Sequence, residues 1–359
     1  MRRIQQSVLC LAVAATAACP AEKPATPPAP TPEPAKPAVD AAPATPAKAT
    51  NPLCLSPAAA TPEETIEIAG KKFIRKGTTL SLEGSDADDE FVIGQVSDVK
   101  DHTPENAANL KAAFEWMKAE KVDAIAVTGD LGESADSIRR VLDDAAAVGV
   151  PVFAIVGNRE CASHFDEGMK AAQAKSKNII NLNHIRVVNF DDVSFVSLPG
   201  YYNKSYIHCA EGCEYSVDDV KALPELAKAA TAPNKVLISH GPPQQAGATA
   251  IDRIHEGANV GDPKLAEVMK AGTFPFGMFG NIQEAGGHAT NLAGDVSVAP
   301  ETYADALYLN PGPIDSVRWV MLDGSESIGM AGIVHFKGKQ AQYKIKRLKA
   351  GDTKVEAPK

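Results

Sequence analysis

Three continuous apolar runs, Phe91–Val96, Ala124–Thr128 and Pro151–Val156, alternate with two stretches of helical period. That alternation limits the possible folds more than any other feature of the chain. A strand that is apolar at every position must be covered on both faces, so these runs belong to a largely parallel sheet overlaid by helices. The intervening stretches fit. Glu105–Glu120 carries Leu110, Ala113, Phe114 and Met117 on one side, and Ser134 stands as an N-cap for a helix through Ile138, Val141, Leu142 and Ala145 that Gly149 closes. Beyond residue 180 the pattern changes to strands joined by short turns, as in Ile185–Phe190, Asp191-Asp192 and Val193–Leu198. Further strands are expected at Lys235–Ser239, Val317–Leu322, Met330–Phe336 and Gln340–Leu348.

Four polar residues sit just past the C-terminal ends of apolar strands: Asp98, Asp130, Asn158 and His240. In open α/β sheets that edge is where ligands bind. Carboxylate, amide and imidazole donors converging there are the donor types a divalent cation takes. Any one of them alone reads as a turn or cap residue; the repetition of the same ending is what points to a site.

The N-terminus carries a different message. Arg2 and Arg3 precede the apolar stretch Ser7–Ala15, and the small residues Thr16-Ala17-Ala18 lead into Cys19, the pattern of a secretory signal peptide. The apolar run is too short for a permanent membrane span. A Cys after small residues resembles the bacterial lipoprotein box, although Thr16 stands where Leu is usual; the resemblance implies acylation of Cys19 and an outer-membrane location, facing the periplasm or the surface. From Pro20 to Pro52 about one residue in three is proline, which favours an extended, polyproline-like stalk reaching at most on the order of 100 Å. The expected organisation is a signal peptide at 1–18, a lipidated stalk at 19–53, a lead-in at 54–90, a folded domain at 91–349 and a tail at 350–359. With 36 Lys and Arg against 45 Asp and Glu, the net charge of −9 and the lack of a basic block exclude nucleic acid as a natural partner.

Export permits disulfides. Of the six cysteines, Cys54, Cys161, Cys209 and Cys213 remain in the domain. The short polar loop between Cys209 and Cys213 makes them the expected pair, with a structural zinc site as the weaker rival. Cys54 with Cys161 is then left by elimination.

The ordered series Asp98-Val99-Lys100, Gly129-Asp130-Leu131-Gly132-Glu133, Gly157-Asn158-Arg159-Glu160, Ser239-His240-Gly241-Pro242-Pro243, Gly280-Asn281-Ile282-Gln283 and Asn310-Pro311-Gly312 resembles the calcineurin-like metallophosphoesterases from about Phe91 to Leu348. The resemblance implies an α/β fold, a four-layer αββα sandwich of the metallophosphoesterase type, and hydrolysis of phosphate esters by two metals that activate water. Its motifs are degenerate here. The family's Asp-x-His reads Asp98-Val99-Lys100, its Gly-Asn-His reads Gly157-Asn158-Arg159, and its Gly-His-x-His reads Gly280-Asn281-Ile282-Gln283. A charged Lys has no lone pair for a metal. Arg stays protonated, so Arg159 is suited to bind an anion and not to give up a proton.

Carried over position by position, one implied metal site keeps Asp98 and the bridging Asp130 but has lost both histidines, at Lys100 and Gln283. The other keeps Asp130, Asn158 and His240, with Asn281 in place of an imidazole. At most one divalent cation (manganese, zinc or iron) is expected, or none, and Lys100 is expected to turn into the cleft and pair with Asp98 or Asp130 in place of the first metal. His102 and His288 read as loop histidines. The functions that follow are a phosphoesterase-like envelope protein with weak or no hydrolysis, an active metal-dependent phosphoesterase acting on a mono- or diester, or a non-catalytic binder of a phosphate-containing small molecule or an envelope protein.

Overall fold

The computed structural model describes residues 51–56 and 62–349; the signal segment, Cys19, the stalk up to residue 50 and the tail 350–359 lie outside the described residues. In chain order the first elements are β1 (Glu64–Ile68), β2 (Lys71–Lys76), β3 (Thr79–Leu82), β4 (Glu90–Val96), α1 (Pro104–Ala119), β5 (Ala124–Thr128), α2 (Ala135–Ala146), β6 (Val152–Ile155), α3 (Ala162–Lys175) and β7 (Ile179–Asn181). They are followed by β8 (Val187–Asn189), β9 (Val193–Leu198), α4 (Val217–Lys221), α5 (Leu223–Leu226), β10 (Asn234–Ser239), α6 (Pro263–Met269) and β11 (Phe276–Met278). The last are β12 (His288–Thr290), β13 (Ser297–Val298), β14 (Leu307–Asn310), β15 (Trp319–Val320), β16 (Glu326–Ser327), β17 (Met330–Lys337) and β18 (Gln340–Arg347).

Two sheets carry the fold. One has the order β18-β17-β4-β5-β6-β7, the other β1-β2-β3-β8-β9-β10-β11-β14-β12-β13. The period-2 alternation of the strands decides what lies between the layers. In β5, Ile125 and Val127 turn outward to a core shared with Leu110 and Met117 of α1, Ile138 and Leu142 of α2 and Phe165 of α3. The intervening Ala124 and Ala126 turn inward to a second core, where Phe91, Phe153, Phe195 and Phe276 fill the space between the sheets. A third core packs Val196, Leu198 and Leu237 against Val220, Leu223, Leu265 and Met269 of α4, α5 and α6. Helices, sheet, sheet and helices make four layers, the expected αββα sandwich.

β4, β5, β6 and β7 run parallel in one sheet, and β9, β10, β11 and β14 run parallel in the other. The loops after β4, β5, β6, β10 and β11 meet at one edge. The helix ends behave as their sequences require: Thr103 caps α1 by accepting from the N–H of Asn106, and Ser134 caps α2 by accepting from Ser137. Residues 54–90, read above as a lead-in, contribute β1, β2 and β3 to the larger sheet, with β3 parallel to β8. Residues 51–56 dock on the domain, where Asn183 Nδ2 donates to the Leu53 carbonyl and Cys54 and Leu55 are buried.

The expected cysteine pairing is corrected. Cys54 is bonded to Cys213 and Cys161 to Cys209, rather than Cys209 to Cys213. The Cys209 carbonyl accepts from the Gly212 N–H, closing a backbone turn between the two cysteines. Cys213 then lies buried toward Cys54, while Cys209 meets Cys161 at the start of α3.

Candidate metal centre

Two of the four residues singled out at strand ends, Asp98 and Asp130, reach the edge on a tight backbone, as do Lys100 and Asn281. Asp98, Lys100, Asp130 and Asn281 all have left-handed backbone, with φ of 57°, 64°, 56° and 63°. That conformation costs an ordinary L-residue roughly 1–2 kcal/mol, and such strain concentrates at functional sites. Glycine makes the approach possible: a Cβ on Gly157 would lie 2.3 Å from Asp130 Oδ1.

His240 is fully buried, and its Nδ1 lies 2.8 Å from the Thr128 carbonyl. A carbonyl can only accept, so Nδ1 carries the proton and Nε2 faces the edge. There Asn158 Oδ1 lies 2.9 Å and Asp130 Oδ1 3.2 Å from that nitrogen. The Asn158 amide is oriented without ambiguity, because its Nδ2 donates to the Tyr206 carbonyl at 2.7 Å. An imidazole nitrogen, an amide oxygen and a carboxylate oxygen thus converge on one point. Two acceptors aimed at a nitrogen whose ring is already protonated on the other side need a cation between them, either a proton or a metal. Burial pulls the His240 pKa down, but the Asp130 carboxylate and then Asp98 outweigh it and hold it at about 10. Burial pushes Asp130 up, yet His240 and Arg159 leave it below the ordinary carboxylate range. Glu160 is buried beside them, accepting from Gly157 and Leu131 N–H groups; burial and then Asp130 raise it to about 8.

Asp98 belongs to the same cluster, with a carboxylate oxygen within 4.8 Å of ligand atoms of Asp130 and His240. Asp130 Oδ1 also accepts from the backbone N–H groups of Asn158 and Arg159, each at 3.0 Å, whereas on Asp98 both oxygens carry a donor. Gln283 Nε2 donates to Oδ1 at 2.7 Å and the Asn281 backbone N–H donates to Oδ2 at 3.0 Å. Gln283 therefore presents hydrogens, not its oxygen, to the carboxylate. The residues present fit one cation, held by Asp130, Asn158 and His240, and do not fit a second at Asp98. The Asn281 side chain is engaged with Tyr201, its Nδ2 lying 2.9 Å from the hydroxyl.

Lys100 requires a correction. It lines the cleft, but its ammonium pairs with Asp315 at 2.7 Å and lies 4.3 Å from the Trp319 ring centroid, and not on Asp98 or Asp130. Asp98 already has its two donors, whereas Asp315 is buried and its Oδ2 takes the Lys100 ammonium as its ion-pair partner. Burial raises the Asp315 pKa and Lys100 draws it back. Arg159 is placed between Asp130 and Glu133, with Nη1 2.7 Å from Glu133 and Nε 3.6 Å from Asp130. His102 pairs with Asp144 and His288 with the Thr249 carbonyl, so neither is a ligand here.

The cleft has a volume of about 330 Å³, and its lining includes Tyr201, Tyr206, His208 and Trp319. None of these four was singled out from the sequence, nor was Asp315. The pair Tyr201-Tyr202 and the aromatic Trp319 close to Asp315 carry no periodic or motif signal; only the folded loops bring them together.

The family model of the calcineurin-like phosphoesterases matches residues 91–268. Comparison with curated protein sequences finds no match. Among solved structures the chain is similar to GAP50, the anchor in the inner membrane complex of Plasmodium, at 12% identity and a TM-score of 0.48, covering 74% of this chain and 86% of that one. It is similar to a protein of Thermus thermophilus, TT1561, at 13% identity and a TM-score of 0.46, covering 66% and 94%. It is also similar to a dimetal phosphatase from Danio rerio at 13% identity and a TM-score of 0.40, covering 71% and 98%. At those scores the likenesses carry no weight for function. Residues 91–268 match the family model of the calcineurin-like phosphoesterases, and Asp98, Asp130, Asn158 and His240 at the shared sheet edge all lie within that match.

Proposed function

We propose that this is a metallophosphoesterase-type protein whose two-metal site has been reduced to a single cation site, with weak or no phosphoester hydrolysis. The observation that carries this reading is the contrast between two carboxylates. Asp130 Oδ1, although it accepts from the backbone N–H groups of Asn158 and Arg159, shares His240 Nε2 with the Asn158 amide oxygen, whereas Asp98 meets the N–H donors of Gln283 and Asn281 on its two oxygens and no ligand atom of those residues. A divalent cation at Asp130, Asn158 and His240 would supply Lewis-acid polarisation of a phosphoryl oxygen. The Thr128 carbonyl keeps the His240 ring in the tautomer that leaves Nε2 available. Arg159 offers a positive charge at the cleft wall for a phosphate-containing ligand. With one cation in place of two and a guanidinium where the family motif has an imidazole, binding is favoured over turnover.

Titration of the full chain with manganese tests this. One equivalent should bind, His240→Ala should abolish it, and hydrolysis of bis-p-nitrophenyl phosphate with manganese should be slow or undetectable. Two bound equivalents in the unaltered protein would overturn the reading.

The sequence around Cys19 supports a lipid anchor and an envelope location, with the proline-rich segment as a spacer. Cys19→Ser should release the chain from the membrane fraction or leave its precursor uncleaved. Unchanged processing and membrane association would show that Cys19 is not the anchor.

A further inference from the structure

We propose that the Cys161–Cys209 disulfide is a positioning element for the cation site, and that opening it weakens cation binding. The proposal rests on the one-cation reading above. Asn158 is the least committed of the three ligands, because a neutral amide has no charge to draw the ion toward it. Its aim depends on what holds its other atoms. The side chain donates through Nδ2 to the Tyr206 carbonyl at 2.7 Å, and the backbone carbonyl accepts from the His208 N–H at 2.9 Å. Both partners belong to the segment between Tyr201 and Tyr215, so the segment grips Asn158 from two sides.

That segment has little regular structure of its own around the grip. Residues Lys204–Tyr206 form a single 3-10 turn, and Tyr206 and His208 are exposed. Two disulfides tie it down, Cys213 to Cys54 and Cys209 to Cys161, and the second is the one next to the grip. Cys209 directly follows His208, and Cys161 comes three residues after Asn158, so their bond joins the gripping segment to the loop that is gripped. A backbone bridge between Cys161 and Gly212, and the Ala162 N–H donating to the Glu211 carbonyl at 3.2 Å, extend the same junction. With the disulfide open, the two hydrogen bonds that grip Asn158 are left to these noncovalent contacts and to the Cys54–Cys213 bond further along the segment.

The two disulfides differ in access. Cys54 and Cys213 are each 1% exposed, while Cys161 and Cys209 are half-buried. Reduction requires a thiolate to reach a sulfur, so an external dithiol should open Cys161–Cys209 first. In that step the S–S bond breaks and two protein thiols form, while the dithiol loses two electrons and two protons and closes to its own disulfide. Site geometry is thereby coupled to the redox state of the surroundings.

The test compares manganese binding by calorimetry in the full chain and two variants, with a thermal melt of each. Cys161→Ala with Cys209→Ala should bind manganese at least 10-fold more weakly, the range found when groups supporting a metal ligand are removed. Cys54→Ala with Cys213→Ala, although it also loses a disulfide, should stay within twofold at a temperature where it is folded. Brief treatment of the unaltered protein with a dithiol, stopped when only Cys161 and Cys209 alkylate, should reproduce the weaker binding without any substitution and serves if the first variant does not fold. Affinity within twofold after selective opening would overturn the proposal while leaving the one-cation reading intact. An unaltered protein that takes up no manganese would overturn both.

Discussion

Replacing Lys100 by alanine should destabilise the domain by about 3–5 kcal/mol at pH 7, the cost of removing one partner from a buried ion pair. Asp315 is 1% exposed, and the Lys100 ammonium at 2.7 Å is the charge that compensates it. Its other oxygen accepts from Trp319 Nε1 at 3.0 Å, so the carboxylate is fixed in place and cannot turn to solvent. The double variant Lys100→Ala with Asp315→Asn should recover most of the loss, since an amide there still accepts from the indole and carries no charge. The sign with pH follows from Asp315. Burial already raises its pKa in the folded state, and removing Lys100 raises it further. The penalty for the lone carboxylate is absent below the unfolded carboxyl value of about 4 and grows as pH rises through the folded value. The single variant should therefore come closest to the unaltered protein at acid pH. Urea unfolding at pH 4 and pH 7 measures both effects, and a loss under 1 kcal/mol at pH 7 would show that Lys100 is dispensable to Asp315. A rebuilt two-metal site faces the same constraint: Lys100→His with Gln283→His supplies imidazoles but strands Asp315 unless Asp315→Asn accompanies them.

Removing the Cys54–Cys213 disulfide should cost a comparable amount. The bond spans 159 positions. In the chain-entropy model a loop of that size corresponds to about 4–5 kcal/mol, whereas a bond between neighbouring cysteines four positions apart would give only about 2. Cys54→Ala with Cys213→Ala should lower the melting temperature by roughly 5–10 °C for a domain of this size. Alanine is the right replacement because both sites are 1% exposed and a serine hydroxyl would be buried there. A peptide map without reduction should find Cys54 joined to Cys213. Cys209 joined to Cys213 instead, or a melting shift near 2 °C, would contradict the structure.

The choice between these pairings shows where sequence reasoning stops. Spacing along the chain favours Cys209 with Cys213. Their separation in space depends on a turn closed by the Gly212 N–H on the Cys209 carbonyl, which sends the two side chains to different neighbours. Lys100 teaches the same lesson. Its position after Asp98 marks it as the residue standing where a metal ligand is usual, and it does line the cleft. Its partner comes from more than two hundred residues away, at Asp315, in a loop with no sequence signal of its own.

The layered architecture was legible because burial imposes a local rule. Strands covered on both faces must be apolar throughout, and helices on a sheet must repeat every three or four residues. The runs at β4, β5, β6 and β10 and the helices α1 and α2 obey that rule within a residue or two of their observed ends. Strands β1, β2 and β3 escaped it because Glu64–Ile68 and Lys71–Lys76 lie at the sheet edge with much of their surface exposed, so polar residues mask them. Asp98, Asp130, Asn158 and His240 were legible for a related reason: each follows its strand directly, and parallel strands bring their ends to one edge. Chemistry at that edge was decided by tertiary structure alone. Whether an amide offers its oxygen or its hydrogens depends on the group opposite. The Tyr206 carbonyl turns the Asn158 oxygen toward His240, and the Asp98 carboxylate draws hydrogens from Gln283. The layers and the shared edge can be read from the residues alone, because both follow from patterns within each element. Only the packing of distant loops sets Asp130 beside His240 Nε2 and turns the Gln283 amide hydrogens onto Asp98.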